Sequence, residues 1–297
     1  MLTAFLGLVL VAGLVAFGNW RAGIFAMIVV GVLQDPLRKL TAGVPSYFIL
    51  GAALVFIAVA LSAFARNSLG HVNALFLGDR NLRAAWIAVS GIVILQVVHA
   101  RLRWGNPMLP VLGLLVYFGP VVALLVGLAF ADTERAIRRF MIGYVVLIVP
   151  ACLTVYLSVN YGDSFPVLQD VGATLGSQII IYDVGTALES HPGIFRVGEI
   201  AAWHAATAAS FLIILATQDR SLAFRIVAGV VIVLLIGAIV LTGRRKMLMA
   251  LTIFVVSQWA LLAMFRRGVG RLTITVLVLG LFGSFALTLL DPASEQA

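Results

Sequence analysis

The sequence predicts an all-α, polytopic integral membrane protein with about nine or ten transmembrane helices, each built on roughly 20 apolar residues. Three observations predict this class. The 297-residue chain is 62% hydrophobic and only 11% charged, against about 45–50% and 25% in soluble domains. Its mean hydropathy is +1.12. Its apolar residues also fall in repeated runs of spanning length, separated by polar connections. This composition excludes a soluble enzyme, a disordered chain and a nucleic-acid module. The 28 glycines follow no three-residue period, so a fibrous protein is excluded as well. The net charge of +8 is scattered between apolar runs and forms no basic face. A single cysteine, Cys152, allows no intrachain disulfide. The first apolar run lacks a basic n-region, so it reads as a helix and not as a cleavable signal peptide.

The elements follow in order. Residues 2–18 form the first span. The next run, 22–33, has only 12 residues, too few to cross at about 1.5 Å per residue. It is expected to be re-entrant, or joined to the first helix through Asn19-Trp20-Arg21, and Pro36 is expected to end any helix there. Further spans are read at 44–64, 84–100, 108–130, 141–159, 201–217, 222–242, 247–265 and 272–290. Met1 lies outside if there are ten spans and inside if there are nine. One long connection, about 160–200, carries Asp163, Asp170, Asp183, Glu189 and Glu199 against a single arginine, Arg196. Its acidity places it outside, as a periplasmic loop, and the other connections alternate from there. The inner side then holds twelve basic residues, among them Arg21, Arg66, Arg135 and Arg225, against four acidic ones, in keeping with the positive-inside rule. Residues 1–297 read as one transmembrane domain.

The informative residues are the basic ones left on the outer side: Arg38-Lys39, Arg101 and Arg103, Arg196, and Arg244-Arg245-Lys246. A guanidinium fork grips phosphate in a bidentate manner, and an ammonium acts as a point charge. Converging at the outer surface, these groups suit a lipid-linked phosphate or pyrophosphate; taken singly, each is an ordinary snorkelling helix flank. The turn Leu241-Thr242-Gly243-Arg244-Arg245-Lys246 is so short that its charges must stay against the membrane. In the segment 195–204, helical spacing places Arg196, Glu199 and Trp203 on one stripe, with His204 at its edge. Glu199 or His204 is a candidate catalytic base toward a sugar hydroxyl, and Trp203 a candidate glycan-stacking platform. The plainer alternative is a helix-start ion pair between Arg196 and Glu199, an interfacial tryptophan and a packed histidine. In Gln34-Asp35-Pro36-Leu37-Arg38-Lys39, Asp35 is expected to cap the turn or neutralise Arg38. No His, Cys and carboxylate spacing resembles a metal site, and neither a phosphate loop nor a nucleophile elbow is present, so no metal and no cofactor is expected.

These motifs resemble the O-antigen ligase and polymerase superfamily of bacterial envelope proteins. The resemblance is carried by the Arg196 helix entry with its small-residue run and by the Leu-Thr-Gly-Arg-Arg turn at 241–245. Gly243-Arg244-Arg245 stands where family members often have a Ser-Arg-Gly turn. The stretches Asp35-Pro36-Leu37-Arg38-Lys39-Leu40 and Glu199-Ile200-Ala201-Ala202-Trp203-His204 also resemble ligase-like members. Arg103 precedes Gly119 by sixteen positions, a weak match to a polymerase spacing.

The resemblance implies a metal-independent glycosyltransferase of the bacterial inner membrane that moves a glycan from undecaprenyl pyrophosphate to a glycan or lipid acceptor. It implies that Arg196 and Arg244 or Arg245 hold the pyrophosphate, with Lys246, Arg38 and Arg103 as further candidates. Family ligases usually have about twelve helices and a large outer loop near the C-terminus that carries a catalytic histidine. The chain is therefore expected to be C-terminally incomplete relative to the family, or else to use His204 in place of that histidine. The rival expectation is a transporter or flippase of a lipid-linked or anionic solute, which would use the same arginines and need no base. A third is a non-catalytic scaffold of a polysaccharide complex.

Overall fold

The computed structural model describes residues 1–43, 46–70, 78–105, 108–162, 164–171, 181–183, 186–188, 190–219 and 221–265. They form α1 (Leu2–Gly18), α2 (Trp20–Lys39), α3 (Leu50–Ala65), α4 (Arg80–Trp104), α5 (Met108–Phe130) and α6 (Glu134–Tyr161). A short hairpin, β1 (Ile181–Asp183) and β2 (Thr186–Leu188), precedes α7 (Gly198–Gln218), α8 (Leu222–Leu241) and α9 (Arg245–Phe265). Among the described residues, six helices are long and apolar enough to cross a membrane: α2, α4, α5 over Gly113–Phe130, α6, α7 and α8. The helices α1 and α3, and α9 over Lys246–Leu262, are shorter and equally apolar. The chain is a polytopic helical membrane protein. The span expected at 272–290 lies outside the described residues, as do Val44 and Pro45 at the start of the span expected at 44–64.

The second apolar run departs from expectation. It is neither re-entrant nor fused to α1, and Pro36 does not end it. Asn19 adopts an extended conformation and accepts hydrogen bonds from the Arg21 and Ala22 amides, which starts a separate helix. That helix runs through Pro36 to Lys39 and reaches 20 residues. Proline costs only one amide donor, and apolar surroundings favour keeping every other backbone bond inside the helix. Pro120 in α5 and Pro150 in α6 are accommodated likewise.

Contacts divide the chain into two compact units. The first contains residues 1–151 together with 165–167 and 194–196. Within it α1, α2 and α3 pack on one another. The approach is close at Gly23, where a Cβ would lie 2.6 Å from the Ala16 Cβ and 2.8 Å from Val59 Cγ2. Ala16, Trp20, Ile24, Val59 and Ala63 build one core with Val126 and Phe130 of α5. Phe5, Val30, Phe48 and Val55 build another. At one end Arg21 pairs with Asp132 and lies over the Trp20 ring, while Arg66 donates to the Phe17 and Gly18 carbonyls that close α1. The Arg21 guanidinium holds the Asp132 carboxyl below its usual range. Helices α4 and α5 pair with each other, and α4 keeps Ile87, Ile92 and Leu95 exposed, positions that face lipid in a membrane.

The second unit contains residues 152–164, 168–193 and 197–297. Here α7 buries Ala201, Ala202, Ala205, Ala208 and Ala209, and α8 buries Ala228, Leu235, Ala238 and Ile239. Small side chains let helix backbones approach where lipid supplies no hydrophobic drive to pack. The Tyr156 hydroxyl donates to the Leu234 carbonyl at 2.7 Å, tying the end of α6 to α8.

Candidate functional site

In the first unit, the last turn of α2 gathers three ionisable residues. Asp35, Arg38 and Lys39 stand three and four positions apart, so they share one helix face. Both cations occupy the C-terminal turn, where the helix dipole favours positive charge. All three are buried, with exposures of 2% for Asp35, 7% for Arg38 and 6% for Lys39. The turn is closed by the Leu40 amide on the Pro36 carbonyl and by the Thr41 hydroxyl on the Leu37 carbonyl.

Two distant segments dock on this turn. The Lys39 ammonium donates to the Val167 carbonyl at 3.1 Å. The Arg196 amide donates to Asp35 Oδ2 at 3.0 Å, across 161 residues of sequence. Phe195, fully buried, anchors the chain beside that bond, and the Arg196 side chain is half-buried. Arg38 and Arg196 both lie within electrostatic reach of Asp35, and of each other. The remaining carboxylate oxygen, Asp35 Oδ1, is buried without a hydrogen-bond partner among the described residues. Buried carboxylates ordinarily satisfy both oxygens, so this one marks a place where a donor is missing. Two guanidinium groups and an ammonium act electrostatically on one carboxylate, a concentration of positive charge that suits an anion.

In the second unit, the start of α7 meets the turn between α8 and α9. Val197 is extended and offers α7 no side-chain cap. Gly198 is buried so tightly that a Cβ would lie 3.1 Å from the Thr242 carbonyl oxygen. The Ser190 hydroxyl donates to that same oxygen at 3.0 Å, and the His191 amide donates to the Leu241 carbonyl. Gly243 reverses the chain with a φ of 68°, a conformation glycine adopts without strain. Lys246 pairs with Glu199, both side chains about half exposed. Arg244 is near enough to act on Glu199 electrostatically, and its Nε is buried with no partner among the described residues.

The expected stripe of Arg196, Glu199 and Trp203 does not form. The helix begins at Gly198, so Arg196 precedes its cap and belongs to the first unit, beside Asp35. The partner of Glu199 is Lys246, not Arg196. Trp203 projects outward at 61% exposure, and His204, one step round the helix, is half-buried. Arg245 opens α9, but its side chain lies outside the described residues. Arg103 is exposed at the end of α4, its guanidinium 5.2 Å from the Trp104 ring centroid, and its described contacts join it to neither cluster. Among the described residues no group of three or more His, Cys, Asp and Glu is placed to hold a metal ion.

Sequence reasoning grouped Lys39 with Arg38 and set Asp35 beside them as a cap or counterion, but did not carry either into the site. Their signal was present in the three- and four-residue spacing to Arg38, and the expectation that Pro36 breaks the helix concealed it. Comparisons of the chain with protein-family models, curated proteins and solved structures find no match in any of the three.

Proposed function

We propose that this chain is an O-antigen ligase- or polymerase-like glycan transferase of the bacterial inner membrane. It takes a glycan from an undecaprenyl-pyrophosphate carrier and passes it to an acceptor on the periplasmic side. The observation that carries the reading is the meeting of the buried Arg38 and Lys39 with the half-buried Arg196 around Asp35 at the end of a helix of spanning length. Phosphate esters at a membrane surface are recognised by such groups, and neutralising a pyrophosphate leaving group is an electrostatic task. Arg244 and Lys246, at the start of α7 with Glu199, form a second cationic station of the same kind. Glu199 or His204 would accept the proton of the attacking hydroxyl, and the exposed ring of Trp203 offers a stacking surface for a sugar.

A second reading, a transporter or flippase of a lipid-linked or anionic solute, is favoured by one feature. Asp35, Arg38 and Lys39 are ionisable residues buried inside a membrane-spanning helix, a placement common in translocation pathways.

The test is genetic. The gene is deleted in its host, and envelope and secreted polysaccharide are displayed on gels. Rescue is attempted with wild type, Arg38→Gln, Arg196→Ala, Arg244→Ala and Glu199→Ala at matched membrane levels. The transferase reading expects loss of long or attached glycan on deletion and failed rescue by the arginine variants. Normal polysaccharide after deletion overturns it. Failed rescue by the arginine variants with full rescue by Glu199→Ala and a His204→Ala variant removes the base and favours transport.

A further inference from the structure

We propose that Asp35 is a ligand-recognition residue, whose buried oxygen Oδ1 accepts a hydrogen bond from a hydroxyl on the phosphate-bearing molecule held by Arg38 and Arg196. The inference rests on the phosphate-binding reading above and adds the chemical class of the ligand: a phosphate ester with a hydroxyl close to its phosphorus.

The reasoning starts from the two oxygens of one carboxylate. Oδ2 is satisfied by the Arg196 amide at 3.0 Å. Oδ1 is buried and has no partner among the described residues. An unmet buried acceptor on a charged group is costly, so a molecule that supplies a donor to it is favoured. Three features fix the kind of donor. Arg38, Lys39 and Arg196 surround the carboxylate, so a second cationic ligand group would be repelled. The same three groups attract an anion, so the donor must belong to an anionic or neutral molecule. Asp35 is 2% exposed, so the donor must be small. A hydroxyl meets all three conditions, and Arg196, the half-buried member, gives the cluster its exposed side. The carboxylate then discriminates. A phosphate without a neighbouring hydroxyl gains the guanidinium contacts but leaves Oδ1 unpaired. A site built to hydrogen-bond a ligand hydroxyl rejects the analogue that lacks it.

Two sources could provide this chemistry, a lipid headgroup or a sugar phosphate, and the experiment separates them. The full chain is placed in phosphatidylcholine nanodiscs and titrated calorimetrically with ethyl phosphate and with 2-hydroxyethyl phosphate, which differ by one hydroxyl. The expected result is tighter binding of the hydroxylated probe by about tenfold or more, the scale of one hydrogen bond to a charged group. Asp35→Asn, which keeps an oxygen for the Arg196 amide but replaces the charged acceptor by a neutral amide, is expected to lower that ratio severalfold. In nanodiscs that contain phosphatidylglycerol, loss of probe binding identifies the headgroup as the occupant. Unchanged binding identifies a phosphate ester from outside the bilayer lipid, and either result upholds the shared chemistry.

Equal affinity of the wild type for both probes overturns the inference and leaves the phosphate site standing, with water on Oδ1. A preference undiminished by Asp35→Asn also overturns it. Binding of neither probe overturns the phosphate-binding reading as well. The wild-type ratio needs no variant, so the inference stays open to refutation even where Asp35→Asn does not fold.

Discussion

Replacing Asp35 by alanine should destabilise the protein far more than replacing it by asparagine, and the difference can be worked from the contacts. The alanine variant removes the acceptor of the Arg196 amide and strips Arg38 and Lys39 of the carboxylate on their own helix face. Deleting a buried carboxylate that acts electrostatically on Arg38, Lys39 and Arg196 costs up to about 3–5 kcal/mol, the scale of a buried ion pair that loses one partner. An unmet amide donor costs about 1–3 kcal/mol, and the two losses overlap because they concern one side chain. The expected total for Asp35→Ala is therefore about 3–5 kcal/mol, a large part of the roughly 5–15 kcal/mol by which a domain is stable. Asparagine keeps a carbonyl oxygen for the Arg196 amide and loses the charge, so it should fall about 1–3 kcal/mol short of that penalty. The assay is an unfolding titration with sodium dodecyl sulfate in mixed micelles, followed by tryptophan fluorescence. An alanine variant within about 0.5 kcal/mol of wild type, the range of a neutral surface change, would refute the idea that the carboxylate is the counterion this turn depends on.

Two further perturbations probe the remaining packing and charge. Gly23→Ala places a methyl group 2.6 Å from the Ala16 Cβ and 2.7 Å from its Cα, a contact that backbone cannot relieve without parting α1 from α2; the expected cost is about 1–3 kcal/mol in the same titration, and an unchanged midpoint would show that the helices are not in close contact there. Asp132 is held below the ordinary carboxylate range by Arg21, so its contribution to stability is complete above the unfolded carboxyl pKa and is lost as pH falls through the lower folded value; acid titration of wild type beside Asp132→Asn should show this loss in the wild type alone, and identical acid profiles would remove the pair as a stabilising contact.

The fold class could be read from the sequence because lipid-facing surface demands apolar composition along whole helices, and composition survives without any knowledge of contacts. The extent of α2 could not, because Gln34, Asp35, Arg38 and Lys39 lower the hydropathy of its last turns and Pro36 looks like a stop. Hydropathy measures the cost of placing each residue in lipid by itself. It does not register that a carboxylate and two cations on one face offset one another, or that the backbone keeps its remaining hydrogen bonds around a single proline. The site was partly legible for a related reason. Basic residues near membrane boundaries are visible one by one, but their grouping depends on long-range pairing. Arg196 meets Asp35 across 161 residues and Glu199 meets Lys246 across 47, and no local period announces either. The three-residue spacing from Arg196 to Glu199 suggested one helical stripe. A single extended residue, Val197 at φ −146° and ψ 152°, ends that stripe before it starts and sends the two side chains to different clusters. Where α7 begins thus decides which partners Arg196 and Glu199 take. A substitution that lengthened α7 backward by a turn, such as Val197→Ala with Arg196 retained, would turn the Arg196 N–H along the new helix axis, where it still has no intrahelical acceptor, and change its angle to Asp35, so the local choice of one backbone angle is coupled to the charge cluster on α2.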